Sequence, residues 1–455
     1  MKKILLFLFV AVIAASCSKK NPKIILTLKA DSEIPVDISD NLQEIRLEPN
    51  AEGKYEYEFK NNDYLISWLF IGNWPFQFYV EKDHDLEVTV EIGLDEKGNI
   101  NLVNLASISP YYEKTNQYLF KYGRSTSLIS SNEDFAMKEM DFYKNGQKII
   151  KNFQANLEKQ DLPVNFKTLE KEKIKHDILG PLSDHELGYK YLNKIKFEDY
   201  QISEEYKDLL ISNFTDSEIV TGIMHNYWMS LSIFLEKALK IQGETIEENF
   251  QLRVEQCKKM FKNPKLLERI IFCEFVHYLS YDISKPTEEI LNLTKVIKNK
   301  DLKKRLNNLL DQKNKIKKGK KAFNFTCKDI NGKEYKLSDF KGKVVVIDLW
   351  ATWCKPCMEV LPYFIEKQKQ YSTRPVHFIT LSVDKNEEAW KKKVKKMGLD
   401  KNSFIAIGSN NIMKAFGLSG IPATIIIDKD GHILDGHAKK ANDPLFDTEL
   451  NSYLQ

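Results

Sequence analysis

The sequence predicts three parts in order: a small all-β domain over residues 23–108, an α-helical domain over 109–318, and a C-terminal α/β domain over 319–455 with a mixed central sheet and helices on both faces. Three observations lead there. Short, often alternating apolar runs fill the first part, as in half-buried strands. Apolar residues then recur at helical spacing. From Phe323 onward, apolar β-branched runs alternate with helical patterns, the order that builds a layered α/β domain.

The 455 residues are 42% hydrophobic and 29% charged, a globular composition, with a formal net charge of +4. Lysines are spread along the chain without an aromatic-basic array, which argues against nucleic acid as a partner. The first residues read differently from the rest. Met1-Lys2-Lys3 is basic and Ile4 to Ala14 is an unbroken apolar core, too short for a comfortable membrane span and ending in small residues. That is the pattern of a signal peptide. Ala14-Ala15-Ser16-Cys17 resembles the bacterial lipoprotein box, which implies cleavage of a signal over residues 1–17 before Cys17, a lipidated Cys17 and anchoring to a lipid membrane. Ordinary cleavage near Ala15 or Ser16 is the alternative. Ser18 to Pro22 is a short tether.

Strands are expected at Ile24–Leu28, Tyr55–Phe59, Phe76–Val80 and Leu86–Val90, punctuated by Asn50 to Gly53, Gly72-Asn73 and Lys82-Asp83. Together they read as a small antiparallel sandwich. The aromatic stretch Tyr64 to Tyr79 fits its core better than an exposed docking face.

Helical spacing takes over from about Ser109. Ile149, Phe153 and Leu157 share a face, Val220 to Ile241 is one long apolar pattern, and Leu266, Ile270, Ile271, Phe275 and Leu279 mark another helix. Pro286-Thr287-Glu288-Glu289 starts a further helix, with Ser284 as its cap. Cys257 and Cys273 flank Asn263-Pro264 on two such helices. Unequal distances from the turn offset them along the axis, so two buried thiols are favoured over a bridge. Cys327 alternates with Phe323 and Phe325 and reads as a core thiol. Asn314 to Lys321 is basic and reads as a solvated helix end and linker.

In the last part, Asp329 to Lys333 is a hairpin turn of the Asn-Gly kind. Val344 to Leu349 reads as a buried parallel strand. Trp350-Ala351-Thr352-Trp353-Cys354-Lys355-Pro356-Cys357 follows, then a helical pattern from Met358 to about Gln370. This order sets Cys354 at a strand tip and a helix N-terminus, where unpaired N–H groups and the helix dipole favour a thiolate. Cys357 sits one turn further in, close enough to close a disulfide. Pro356 suits the first helical turn, and Lys355 adds a positive charge. Val376 to Val383 is the next strand, Glu387 to Met397 a helix, and Thr424 to Asp428 a strand leading into a hairpin at Lys429 to His432. His432 and His437 read as a surface pair rather than a metal site, and no second Cys-x-x-Cys exists to complete a zinc site.

Trp353-Cys354-Lys355-Pro356-Cys357 resembles the thioredoxin active site. Gly420-Ile421-Pro422-Ala423-Thr424 before an apolar strand is an independent match, and Pro362 falls where that family carries a helix-kinking proline. Leu337 to Lys343, behind an N-terminal hairpin, is more similar to the TlpA/ResA group of thiol–disulfide oxidoreductases than to plain thioredoxin. The first part looks like the β-domain found on many exported thioredoxin-like lipoproteins. The resemblance implies a thioredoxin-like fold, a cis bond before Pro422, and a client edge formed by Trp353, Lys355, Pro356, Ile421 and Pro422. It also implies that Asp348 is a buried acid exchanging a proton with Cys357. Two departures matter. Val360 stands where many ResA-like proteins carry a Glu, with Glu359 one residue earlier, and Thr380 stands where thioredoxins pair the acid with a Lys.

The expectation is therefore a membrane-anchored periplasmic enzyme of a Gram-negative cell envelope, reducing disulfides of exported proteins, apocytochromes among them, through Cys354 and Cys357. It needs no bound cofactor and takes electrons from a membrane thiol reductase. A peroxiredoxin is excluded because Ile347 and Ala351 occupy the places of its Pro and Thr. The rival of another class is a lipoprotein whose N-terminal domains bind a partner, with the redox domain accessory.

Overall fold

The computed structural model describes residues 21–454 apart from 31–33, 43, 61–63, 73, 95–99, 123–128, 130, 281–285, 400–401 and 419. The signal segment with Cys17, together with Asn73 and Ser284, lies outside the described residues.

Strands come first: β1 (Lys23–Lys29), β2 (Val36–Ser39), β3 (Glu44–Leu47), β4 (Lys54–Glu58), β5 (Tyr64–Ile71), β6 (Trp74–Glu81), β7 (Leu86–Leu94) and β8 (Ile100–Ile108). They form two sheets, ordered β4-β1-β7-β8 and β3-β2-β5-β6. The second is antiparallel throughout. The first corrects the antiparallel expectation, because β1 pairs antiparallel with β4 but parallel with β7. The chain leaves β4, builds β5 and β6 in the other sheet, and returns at β7. A crossover of that length, unlike a hairpin, permits the parallel sense. The stretch Tyr64 to Tyr79 is core, with Leu65, Ile66, Leu69, Phe78 and Tyr79 buried.

Helices follow: α1 (Glu113–Tyr122), α2 (Asn132–Phe135), α3 (Glu139–Glu158), α4 (Val164–Ser183), α5 (His185–Leu192), α6 (Glu204–Ser212), α7 (Met224–Ile233), α8 (Ile246–Met260), α9 (Pro264–Ser280), α10 (Glu288–Leu293) and α11 (Lys300–Lys315). The stretch Val220 to Ile241 is not one helix. A 3-10 turn (Glu218–Ile223), α7 and a π turn (Phe234–Ala238) divide it. Its first turn makes a tertiary contact, since Asn41 Nδ2 donates to the Gly222 carbonyl at 2.9 Å. The cap of α10 is Thr287, whose hydroxyl accepts from the Ile290 N–H, so the helix starts after Pro286 rather than at Ser284. Cys257 and Cys273 are free and buried, and burial pushes both thiols up, which leaves them inert.

Sheets and helices share one continuous core. Leu26, Val36, Leu65 and Tyr79 from the strands belong to the same apolar cluster as Phe142, Phe166, Leu179 and Tyr227 from the helices. Asn116 Oδ1 accepts from the Tyr79 N–H at 2.8 Å, and the Tyr79 and Phe166 rings meet edge to face at 5.2 Å. Arg305 of α11 is ion-paired to Asp40 beside β2.

The C-terminal domain contains β9 (Thr326–Lys328), β10 (Glu334–Lys336), β11 (Val344–Trp350), α12 (Lys355–Gln370), β12 (Val376–Ser382), α13 (Glu387–Met397), β13 (Ser403–Ala406), α14 (Ser409–Ala415), β14 (Ala423–Ile427), β15 (Ile433–Ala438) and α15 (Phe446–Tyr453). Its sheet is ordered β10-β9-β13-β12-β11-β14-β15. β11, β12 and β13 are parallel, and β14 and β9 run antiparallel beside them. This is the mixed, thioredoxin-like sheet. β11 is buried on both faces. Val345, Ile347 and Leu349 pack with Ile412 and Phe416, while Val344 and Val346 pack with Val360, Phe364 and Phe446.

The basic segment 314–321 is not a plain solvated linker. Its lysines other than the half-buried Lys317 are exposed, but Ile316 is buried, the Gly319 N–H donates to the Ile433 carbonyl at 2.7 Å, and the Ile433 N–H donates to the Lys320 carbonyl at 2.8 Å. Gly417 and Gly436 let the end of α11 lie directly on the domain. A Cβ at Gly417 would meet the Gln312 carbonyl oxygen at 2.3 Å, and one at Gly436 would meet the Ile316 carbonyl oxygen at 2.4 Å. Lys313 Nζ donates to His437 Nε2 at 3.2 Å. Burial first, then Lys313, hold that imidazole down at about 4, so it stays neutral and accepts.

Candidate active site

β11 delivers its chain to the C-terminal edge of the parallel strands, where it turns through Ala351, Thr352 and Trp353 into α12. Loops gather at such an edge, and it is where open α/β sheets place their chemistry. Cys354 is the N-cap of α12, with Pro356 in the first turn. The Cys357 N–H donates to Cys354 Sγ at 3.2 Å, one of the otherwise unpartnered donors of a helix start. Cys354 and Cys357 are joined by a disulfide across a Cα separation of 5.3 Å.

The peptide bond between Ile421 and Pro422 is cis. The Ile421 carbonyl oxygen lies 3.8 Å from Cys354 Sγ. Ile421, Pro422 and Trp353 are half-buried, and Lys355 and Pro356 are exposed. The structure therefore gathers the sequence-predicted residues around one pair of sulfurs. Access to the sulfurs is narrow. Cys354 is only 4% exposed and Cys357 is fully buried. Cys354 packs in one apolar cluster with Trp350, Leu361 and Trp390 on the inner side, with Trp353, Met358 and Ile421 at its margin.

Asp348 lies in the middle of β11, 1% exposed. Strand alternation sends it to the face of Val346 and Trp350, toward α12 and the buried Cys357. Burial pushes its carboxyl up to about 8, and Lys440 pulls it only partly back. Thr380 does stand opposite it on β12. Val360 is buried under α12 and Glu359 is exposed, so neither adds a second acid beside Asp348.

Two contributors escaped the sequence reading. Asp384, in the loop after β12, accepts from the Thr352 N–H at 3.0 Å, from the Thr352 hydroxyl at 2.8 Å and from the Ser382 hydroxyl at 2.6 Å. It fixes the turn that carries Trp353 and Cys354. Burial raises its carboxyl, and those hydrogen bonds oppose the rise. Its signal was its place: the loop that follows the strand next to β11. Arg46 of β3 is the other, with its guanidinium 5.4 Å from the Trp353 ring centre. No motif marks it.

The arrangement is a dithiol–disulfide couple with one sulfur at a helix start, one inside, and a protonatable carboxyl on the inner side. Among the described residues no cluster of His, Cys, Asp and Glu could hold a metal ion.

Comparison with known proteins agrees with this chemistry. The Redoxin family matches residues 317–453. The thiol-disulfide oxidoreductase ResA of Bacillus thuringiensis subsp. konkukian is 39% identical over 120 residues, covering 26% of this chain and 69% of that protein. ResA of Bacillus subtilis is 31% identical over 123 residues, covering 27% of this chain and 68% of that protein. Among solved structures, the thioredoxin domain of a thiol-disulfide oxidoreductase from Bacteroides vulgatus is 25% identical, covering 30% of this chain and 98% of that one at a TM-score of 0.28. With over two thirds of ResA matched at 31–39% identity, and the Redoxin segment coinciding with the β9–α15 domain, the chain belongs to the ResA family of thiol-disulfide oxidoreductases.

Proposed function

We propose that this oxidoreductase is anchored to the membrane through a lipidated Cys17 and reduces disulfides of exported proteins on the periplasmic side of the cell envelope. The observation that carries the chemistry is the placing of Cys354 Sγ at the start of α12 and against the Ile421 carbonyl. In the reduced enzyme the Cys354 thiolate, favoured by the helix start, attacks one sulfur of the client disulfide. A mixed disulfide forms and the other client sulfur leaves as thiolate. Asp348 takes the proton of the Cys357 thiol. With its carboxyl pushed up to about 8, Asp348 is mostly protonated at neutral pH, and the ionised fraction that accepts the proton grows as the pH approaches that value. The Cys357 thiolate attacks Cys354, closes the disulfide and releases the second client thiolate. Two electrons have passed from the enzyme to the client, and a membrane thiol reductase returns them.

Trp353, Lys355, Pro356, Ile421 and Pro422 form the client edge. Apocytochromes awaiting haem are clients with the required chemistry. Among the described residues no helix is long and apolar enough to cross a membrane, and the anchor is assigned to Cys17 from the lipoprotein box alone. The test is insulin reduction by the purified protein with dithiothreitol. Turbidity should develop with the wild type and not with Cys354→Ser; equal rates would sink the reading.

A further inference from the structure

The redox site is not built by the C-terminal domain alone. β3 pairs only with β2 among the described strands, at the edge of its sheet, and it reaches the two loops that flank the cysteines. Arg46 lays its guanidinium over Trp353, the residue before Cys354, at 5.4 Å from the ring centre. Just beyond β3, Glu48 is ion-paired to Lys385, the residue after Asp384. Both contacts fall at the C-terminal edge of β11 and β12, one on each side of the Thr352–Asp384 hydrogen bonds.

Arg46 is held for this position. Asp37 is its directly opposite cross-strand neighbour on β2, and the carboxylate grips the guanidinium with two bonds, Nε to Oδ1 at 2.5 Å and Nη2 to Oδ2 at 2.9 Å. A forked pair fixes the plane of the guanidinium as well as its place. A planar cation within about 6 Å of an indole face is attracted to it. Trp353 is thus held from the β-sheet side while its backbone is held by the turn from Thr352.

We propose that Arg46 is a positioning residue for client docking: it orients the Trp353 indole beside Cys354, so that the N-terminal β-sheet supplies one wall of the cleft that receives a polypeptide disulfide. This rests on the reading of Cys354 as the attacking thiol. The role is one of binding. Arg46 touches neither sulfur, and its charge is matched by Asp37, so its loss acts on docking rather than on the thiolate.

The test is steady-state insulin reduction by the full chain in detergent. Arg46→Ala should raise KM for insulin by about two- to fivefold with kcat retained, the range expected of one exposed cation–π contact. Arg46→Lys should recover part of that loss, and in a Trp353→Ala background Arg46→Ala should change nothing further. Acrylamide quenching of the fluorescence that Trp353→Phe removes should increase in Arg46→Ala. An unchanged KM, a loss confined to kcat, or the same loss in both backgrounds overturns the proposal. Cys354→Ser separates the two levels. If it is inactive and Arg46→Ala equals wild type, only the role of Arg46 falls; if Cys354→Ser remains active, the site reading falls and takes this inference with it.

Discussion

Asp348 and Thr380 stand opposite each other on adjacent parallel strands, yet they do not bond. The Thr380 hydroxyl is engaged with Ser403 at 2.7 Å, and neither Asp348 oxygen has a partner among the described residues. A carboxyl buried in that way keeps its proton. The folded protein holds it to about pH 8, from an ordinary value of 3.8, whereas the unfolded chain releases it near the ordinary value. Between those limits the folded state binds more protons, so stability falls as pH rises, and the loss is complete above the folded value. Asp348→Asn removes that penalty. Urea unfolding should show a gain of about 1–2 kcal/mol at pH 5 that grows to on the order of 5 kcal/mol at pH 9. A gain independent of pH would contradict this account.

The same substitution should slow insulin reduction most near pH 8, where Asp348 is substantially ionised, because Cys357 then loses its proton acceptor. The rate profile from pH 6 to 9 should flatten for the step that Cys357 carries. Rates that match wild type across that range would return Asp348 to a structural role.

The two cysteines are unequal, since Cys354 is the cap and Cys357 is fully buried one turn in. Cys357→Ser, expressed in the native host, should accumulate mixed disulfides through Cys354, seen as slow bands that collapse with reductant. Cys354→Ser should accumulate none. Trapped cytochromes would point to haem attachment, and a broad set of proteins to general reduction. Equal trapping by both mutants would reverse or abolish the assignment.

Asp384 holds the turn before Cys354, and Asp384→Ala leaves the Thr352 N–H and two hydroxyls without it. Loss of one buried acceptor costs about 1–3 kcal/mol. Urea unfolding should show a loss in that range, smaller for Asp384→Asn, which keeps one acceptor oxygen. No measurable change in either variant would mean the turn is held by its backbone alone.

What the sequence made legible follows from where the physics is local. Val344 to Trp350 is apolar on both faces because both faces are covered, and a cysteine pair at the following helix start can be read residue by residue. The fold class of the C-terminal domain came with them. β13 was missed because Ser403 to Ala406 is four residues long and is made a strand by pairing with β12 and β9. Asp384 was missed because its partner Thr352 is distant in sequence and joined only by strand order. The parallel pairing of β1 with β7 could not be read from alternation, which is the same for either sense. Arg46 belongs to the extreme case, where nothing within its own strand reports on Trp353.

Anchoring has its own check. Palmitate labelling of the wild type should vanish in Cys17→Ala, and labelling that persists would remove Cys17 from the account.

The core common to the β-sheets and the helices limits how this chain can be rearranged. Tyr79 packs on Phe166 and Asn116, so a cut after β8 would leave two incomplete halves, each exposing the apolar face that the other covered. The better seam lies before the last turn of α11, so that Gln312 to Ile316 travel with the domain they pack on. Recombination there would transplant the β9–α15 redox cassette with its sheet and both cysteines intact. A graft onto a foreign body would keep the couple and lose Arg46, leaving Trp353 to be steadied by whatever the new neighbour happened to provide.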